Sequence, residues 1–418
     1  VLAKTPITLA PSLLDAFGAQ KVSNPYTLLD SKFLTSPAPL SWDQIVSGSG
    51  TINFQPSYLT LSAPSNGARV VRQSRLYCPY QPGKGLRVLC TGSLINALTP
   101  LVTSRIGFFD DANDKNPSLD TEASGNGFFF EWDGTQVNIV KRSFITGSQV
   151  DTKVPQSMWN YDRFDGTGPS GIVLDITKRQ IFMFELEWLG VGTVVTALII
   201  DRQTYWAHVF QHANIGTDLP YITRPTLPVR YEISSQGGSA VLHQICATVV
   251  SDGGYQPKGS VFSQSMKSGT DVSISGGHVA LMALRLKTTG KRTLMSLLKT
   301  TVLATSGNDF YLALYRFVAP TVDPFSGTAT WLSAGSYSNV EYAIQNTGLT
   351  MTFSNTNGVL LDETYVSNRA DFGGSDLADR FGAVITSNIV GVSDILVVAA
   401  GPDAGTKAAV AMQWQEQE

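Results

Sequence analysis

The chain has 418 residues, enough for two or three domains that each bury their own core. Charged residues make up only 15% of it, against about a quarter in an average domain, and the net charge of -3 leaves no basic footprint, so nucleic-acid binding is discounted. No apolar run approaches the roughly 20 residues of a membrane helix, the first stretch lacks the continuous apolar core of a secretory signal, and Cys78, Cys90 and Cys246 are too few for a disulfide framework and read as buried thiols.

In chain order, residues 1–55 carry Pro6, Pro11, Pro25, Pro37 and Pro39 and one short helix-like piece at 12–17. Prolines at that spacing argue against a regular sheet and predict an extended N-terminal arm, either a disordered terminus or one that docks on a neighbouring subunit. Strand signals begin beyond it and define a first β-sandwich over 56–251. Residues 128–132, the Asp133-Gly134 pair and 137–141 predict a hairpin with a type I′ turn. Phe182, Phe184, Leu186 and Trp188 alternate with Glu185 and Glu187, the period of a strand with one buried face. A turn at Gly190 and Gly192, the β-branched run 194–200 and the aromatic segment 204–211 complete a three-stranded meander, placed at the middle of the core. Residues 229–234 and 241–251 flank Gly237-Gly238 and predict a further hairpin. The Gly- and Ser-rich stretch 252–277 reads as a linker, and 278–418 as a second sandwich with strands at 280–287, 310–317, 349–353, 359–361, 394–400 and 408–414. Leu294, Leu297 and Leu298 have helical spacing but lead straight into Thr300, Thr301 and Val302, so that segment stays open between helix and strand. The expected fold class is all-β, with two antiparallel jelly-roll-like sandwiches behind the arm.

The candidate chemistry is sparse. Gly166, Gly168 and Gly171 spell G-x-G-x-x-G, but Pro169 interrupts the run and a strand follows where a dinucleotide site needs a helix, so the glycines read as turn geometry. His208, His212, His243 and His278 are the whole imidazole supply. In a strand, His208 and His212 stand about 13 Å apart and cannot share a zinc; a polar strand end is the expected role. Glu185 and Glu187 share one side of their strand, an arrangement a glycosidase can use, and the default is a solvated or inter-subunit face. The loop 110–120 (DDANDKNPSLD), with Asp110, Asp111, Asp114 and Asp120, offers oxygen ligands of the kind Ca²⁺ prefers, yet it includes Lys115 and lacks a known calcium-loop order, so it reads as an exposed turn. No nucleophile elbow occurs. The expectation is no catalytic residue, no cofactor site and no metal site.

Six segments carry a resemblance: Tyr80-Gln81-Pro82-Gly83-Lys84, Arg105-Ile106-Gly107-Phe108-Phe109-Asp110, Asp165-Gly166-Thr167-Gly168-Pro169-Ser170-Gly171, Glu187-Trp188-Leu189-Gly190-Val191-Gly192, His212-Ala213-Asn214 and Leu227-Pro228-Val229-Arg230-Tyr231-Glu232. Together they resemble a β-rich type of virion structural protein (spike, fibre, minor capsid or decoration protein) of tailed phages and large DNA viruses. The likeness is fullest over residues 20–255. It implies a location in the virion, no enzymatic activity, and a homo-oligomer such as a trimer that also contacts other capsid or tail proteins. The first alternative is a carbohydrate- or receptor-binding module for a host surface glycan, in which Trp132, Trp159 or Trp206 would lie exposed beside a groove. The second is a β-rich glycan hydrolase built on the glutamate pair.

Overall fold

The computed structural model describes residues 24–215, 219–266, 272–274, 278–306, 309–322, 324–326, 329–345, 352–353, 358–366, 369–373, 384–401 and 406–417. It is all-β, with every pairing antiparallel, and divides into two compact units. One comprises the chain up to Asn113 and Ala123–Gln256; the other comprises Asp114–Glu122 and the chain from Pro257. Among the described residues no helix is long and apolar enough to cross a membrane.

The first unit is a jelly-roll-like sandwich of fifteen strands. These are β1 (Tyr26–Lys32), β2 (Trp42–Ser47), β3 (Thr51–Gln55), β4 (Tyr58–Ala63), β5 (Arg69–Ser74), β6 (Leu86–Ser93), β7 (Val102–Phe109) and β8 (Gly127–Trp132), then β9 (Val137–Ser143), β10 (Val150–Pro155), β11 (Gln180–Leu186), β12 (Val194–Ile200), β13 (Gln203–Phe210), β14 (Val229–Ser235) and β15 (Ala240–Ser251). One sheet runs β13-β12-β11-β6-β15-β4-β3, with β1 also on β15; the other runs β10-β9-β8-β7-β14-β5-β2. Alternation puts the large rings between the sheets: Phe130 of β8 lies 5.0 Å from Phe182 and 5.6 Å from Phe184 of β11. The buried Tyr231 hydroxyl of β14 donates across the sandwich to Cys246 O at 2.9 Å. Each large apolar side chain withdrawn this way contributes roughly 1.5–3 kcal/mol.

Several expectations change here. Residues 24–55 form β1 to β3, not an arm, because Pro25 stands just ahead of β1, Pro37 and Pro39 fall between β1 and β2, and Phe33 and Trp42 are buried against the Arg72 guanidinium. The rest of the expected arm, with its helix-like piece, lies outside the described residues. The meander β11-β12-β13 forms as read, but at one edge of its sheet. β14 and β15 are not a hairpin: the chain changes sheets at Gly237 and Gly238, where a Cβ on Gly238 would meet Pro100 O at 2.5 Å. The β8–β9 hairpin closes through four residues rather than a two-residue I′ turn. Only Gly134 takes a positive φ, and the Asp133 carboxylate accepts from the Thr135 and Gln136 N–H groups.

The second unit is also a sandwich. Its strands are β16 (Ser260–Ser265), β17 (Val272–Ile274), β18 (Val279–Leu286), β19 (Leu294–Ser306), β20 (Phe310–Phe317), β21 (Phe325–Ser326), β22 (Leu332–Ser333) and β23 (Val340–Ile344), then β24 (Thr352–Phe353), β25 (Val359–Val366), β26 (Arg369–Gly373), β27 (Val384–Ile385), β28 (Ile395–Ala400) and β29 (Thr406–Gln417). One sheet follows β16-β29-β19-β26, with β17 and β27 on its flanks; the other follows β21-β24-β18-β28-β20-β25, with β23 on β18. The core gathers Leu281, Leu297, Leu312, Leu396 and Trp414. β16 and β17 fall inside the expected linker. Their half-exposed alternation suits edge strands on β29, which need few large side chains. The segment left open between helix and strand is β19, whose β-branched second half pairs along β29. The expected strand at 349–353 lies within the described residues only at Thr352–Phe353.

Candidate functional site

The second sheet of the first unit turns a charged face away from the core. Register places Glu232, Arg105, Glu131 and Asn138 in one row across β14, β7, β8 and β9. Arg105 bridges the two carboxylates, 2.8 Å from Glu131 and 3.4 Å from Glu232. Arg230 and Arg69 also reach Glu232, at 2.9 and 3.0 Å, and Lys153 reaches Glu131 at 2.6 Å. Four residues along β9 from Asn138, Arg142 pairs with Asp111 and Asp151 at 2.7 and 2.8 Å. The guanidinium groups of Arg105, Arg142 and Arg230 lie over the buried Phe109 and Phe129 rings at 5.0–5.6 Å. Burial by itself would raise the Glu232 carboxyl, but Arg230, Arg105 and Arg69 hold it well below the usual carboxylate range. A group so held exchanges no proton near neutrality, and the row acts as an internal electrostatic frame.

The acidic loop divides in the same way. Asp110 Oδ1 accepts from the Gly125 and Asn126 N–H groups at 2.7 and 2.8 Å, while Asp120, in the second unit, pairs with the buried Arg292 at 2.6 Å. The Lys115 ammonium donates to Glu122 O. Asn113 and residues 116–119 are exposed while Asp110 and Asp120 are buried, so the exposed turn expected over 110–120 holds for part of the loop. Among the described residues no group of three His, Cys, Asp or Glu could hold a metal ion.

Glu185 and Glu187 are 3% and 1% exposed, which corrects the solvated face expected for them. Strand β11 ends at Leu186, and Glu187 lies beyond it: its Oε1 is 2.9 Å from where a Cβ on Gly85 would stand. The neighbouring Tyr80 hydroxyl accepts from Leu189 N–H, and the Tyr80 ring meets Trp188 edge-on. His212 stacks on Tyr221 at 3.8 Å, and its Nδ1–H donates to Gly192 O. Its Nε2 therefore accepts from the Lys141 ammonium, which can only donate. His208 is buried inside β13 beside Phe210, His243 bonds Ser93, and His278 meets the Tyr311 ring in the second unit. His208 thus sits within its strand rather than at a polar end. Gly166 and Gly171 have φ of +84° and +67°, and a Cβ on Gly168 would strike Asp162, whose carboxylate accepts from the Phe164 and Ser170 N–H groups. The run is a turn wrapped on Asp162. Cys78 and Cys90 are buried thiols, and Cys246 is half-buried.

Among the described residues a shallow groove of about 480 Å³ lies at one end of the first sandwich, lined by Leu98, Trp132, Thr135–Val137, Gln156, Leu174, Asp175 and Ile176. It forms where the β6–β7 loop, the β8–β9 turn, the 3₁₀ turn after β10 and the approach to β11 converge. Trp132 is fixed by its indole N–H donating to Thr99 O at 3.0 Å. Of the other two tryptophans, Trp159 is buried between Phe130 and Phe164, and Trp206 is half-buried against the exposed Tyr161 at 5.1 Å. Trp132 is itself only 6% exposed, so it presents an edge to the groove, not an open platform. Leu98, Gln136, Gln156, Leu174, Asp175 and Ile176 carry no motif, and the one pointer to them in the sequence is the tryptophan that precedes a DG turn.

No family model and no curated protein matches the sequence. Solved structures similar to this chain include the legume lectin-like domain from Entamoeba histolytica, 8% identical, covering 57% of this chain and 99% of that one with a TM-score of 0.32. They also include the endo-1,3-β-glucanase from Streptomyces sioyaensis (10% identical, 55% and 97% covered, TM-score 0.36) and the Bacillus licheniformis β-glucanase (10%, 55% and 98%, TM-score 0.33). Likenesses at this level fix no activity for the chain.

Proposed function

We propose that the chain is a structural protein of a virion surface that binds saccharide, with the groove beside Trp132 as its binding site. The groove carries the binding half of this reading. Its walls are the apolar Leu98, Val137, Leu174 and Ile176 with one tryptophan edge, and its polar groups are few and convergent, the make-up that suits the C–H faces and hydroxyls of a pyranose. The six resembling segments support the virion half. They supply frame and turns: Arg105 and Glu232 of the ionic row, the turn on Asp162, and the Tyr80–Trp188 and His212–Tyr221 pairs. The reading is of a binding protein and not a hydrolase, since neither member of the glutamate pair lines the groove.

Calorimetric titration with a panel of oligosaccharides tests the binding half; one saturable site per chain is expected, weakened several-fold by Trp132→Phe. Light scattering tests the setting. A stable trimer or larger ring supports a spike, fibre or shell component, and a clean monomer argues against it. Release of reducing sugar that Glu185→Gln abolishes would replace the whole reading with a hydrolase.

A further inference from the structure

We infer that the groove selects uncharged saccharides and turns away acidic ones, with Asp175 as the residue that sets this preference; the inference rests on the saccharide reading of the same groove. The argument is a count of donors and acceptors. The Trp132 indole N–H is taken by Thr99 O. Both amide hydrogens of Gln156 are taken by Arg163 O and Phe164 O, at 2.8 and 3.0 Å, which turns its Oε1 into an acceptor without a protein partner. The Thr135 hydroxyl donates to Asp133 Oδ1 at 2.7 Å. Asp175 Oδ1 accepts from the Thr177 hydroxyl and N–H, at 2.5 and 3.0 Å, and Oδ2 has no partner among the described residues. What remains for a ligand is therefore mostly acceptors, with the Gln136 amide as the lining side-chain donor not otherwise engaged.

Asp175 is the lone ionisable residue in the lining, and the Thr177 hydroxyl and N–H hold its carboxyl below the usual range, so the groove is negative at any ordinary pH. Lys178, three residues on, is exposed and does not line the groove. A neutral sugar brings hydroxyls that donate to Asp175 and Gln156 while its C–H faces meet Leu98, Leu174 and Ile176. A carboxylate or sulfate can only accept, so it finds one amide donor and the repulsion of Asp175. Asp175 is exposed, so two like charges about 6 Å apart there differ from a neutral pair by roughly 0.7 kcal/mol, about a threefold change in affinity.

The test is calorimetry on the whole chain with matched probes: α-1,4-galactotetraose against α-1,4-tetragalacturonate, and mannotetraose against tetramannuronate. The readout is the ratio of neutral to acidic affinity. A ratio of about three or above is expected for the wild type at low salt, falling in 0.5 M NaCl as screening requires. Asp175→Asn keeps the Oδ1 acceptor for Thr177 and should lower the ratio about threefold. Gln136→Glu, at an exposed position, should raise it. A wild-type ratio near one, or a ratio that neither variant moves, overturns the inference and leaves the saccharide reading standing. Failure of every tetrasaccharide to bind the wild type and both variants removes that reading, and this inference with it.

Discussion

The ionic row on β14, β7 and β8 and the groove at the sandwich end are both polar regions of one unit, but their polar atoms are engaged differently. In the row every charge faces an opposite one: Glu232 alone meets Arg69, Arg105 and Arg230. In the groove the side-chain donors other than the Gln136 amide are tied to backbone and turn carboxylate, and acceptors on Gln156 and Asp175 are left over. A closed network rigidifies a scaffold, whereas leftover acceptors beside an apolar wall are what a ligand can complete. The contrast locates recognition at the loops and stability in the sheet.

The largest effect should come from opening the closed network. Glu232→Gln leaves three guanidinium groups around a neutral side chain in a buried site, and the expected cost is about 3–5 kcal/mol in urea unfolding of the whole chain. A loss below about 1 kcal/mol would mean that the row is not a scaffold, and the comparison would fail at its first term.

How far each region could be read in the sequence follows from its range along the chain. The strands of the meander and of the β8–β9 hairpin were legible because a period of two and a turn residue are local signals. What decides sheet membership is not local. Nothing between Ser235 and Ala240 tells that β14 joins one sheet and β15 the other, and prolines at 25, 37 and 39 look the same whether they interrupt an arm or punctuate strands. The glutamate pair misled for a related reason. Alternation with Phe182 and Phe184 marks Glu185 as facing away from the core, but whether that side meets water depends on what covers it. The groove draws Leu98 from the β6–β7 loop, Trp132 from the end of β8 and Gln156 and Asp175 from the two ends of the long β10–β11 connection, so no single window of sequence contains it.

A second way to sharpen the comparison is pH. Burial depresses both His208 and His212 to about 4 from an ordinary value near 6.5. Their folded values lie below the unfolded ones, so the associated stability is intact above about pH 6.5. It is lost as pH falls toward 4, because the unfolded chain takes up the protons first. Glu232 contributes a separate loss that begins only below about pH 4.5, its unfolded range. Allowing for nearby solvent, each histidine accounts for about 1–2 kcal/mol. His243 is depressed as well, by burial and the Arg179 charge, so His208→Gln should remove less than half of the slope between pH 6.5 and 4 and leave the more acidic limb untouched. An unchanged slope in that variant would assign the loss to other groups.

The smallest expected effect on stability is also the cleanest separation of the two regions. Leu98 is 63% exposed and stands on the β6–β7 loop at the groove's edge. Leu98→Ala removes little buried surface from the fold, so unfolding free energy should move by no more than about 0.5 kcal/mol. If the groove takes the apolar face of a sugar, the same change should weaken oligosaccharide binding several-fold, because a leucine against a ring withdraws surface only when the ligand is present. Glu232→Gln should show the reverse pattern at a temperature where it remains folded, with stability lost and affinity retained. Should Leu98→Ala leave affinity unchanged while Glu232→Gln reduces it, recognition would belong to the charged face of the sheet, and the division between scaffold and groove would be inverted.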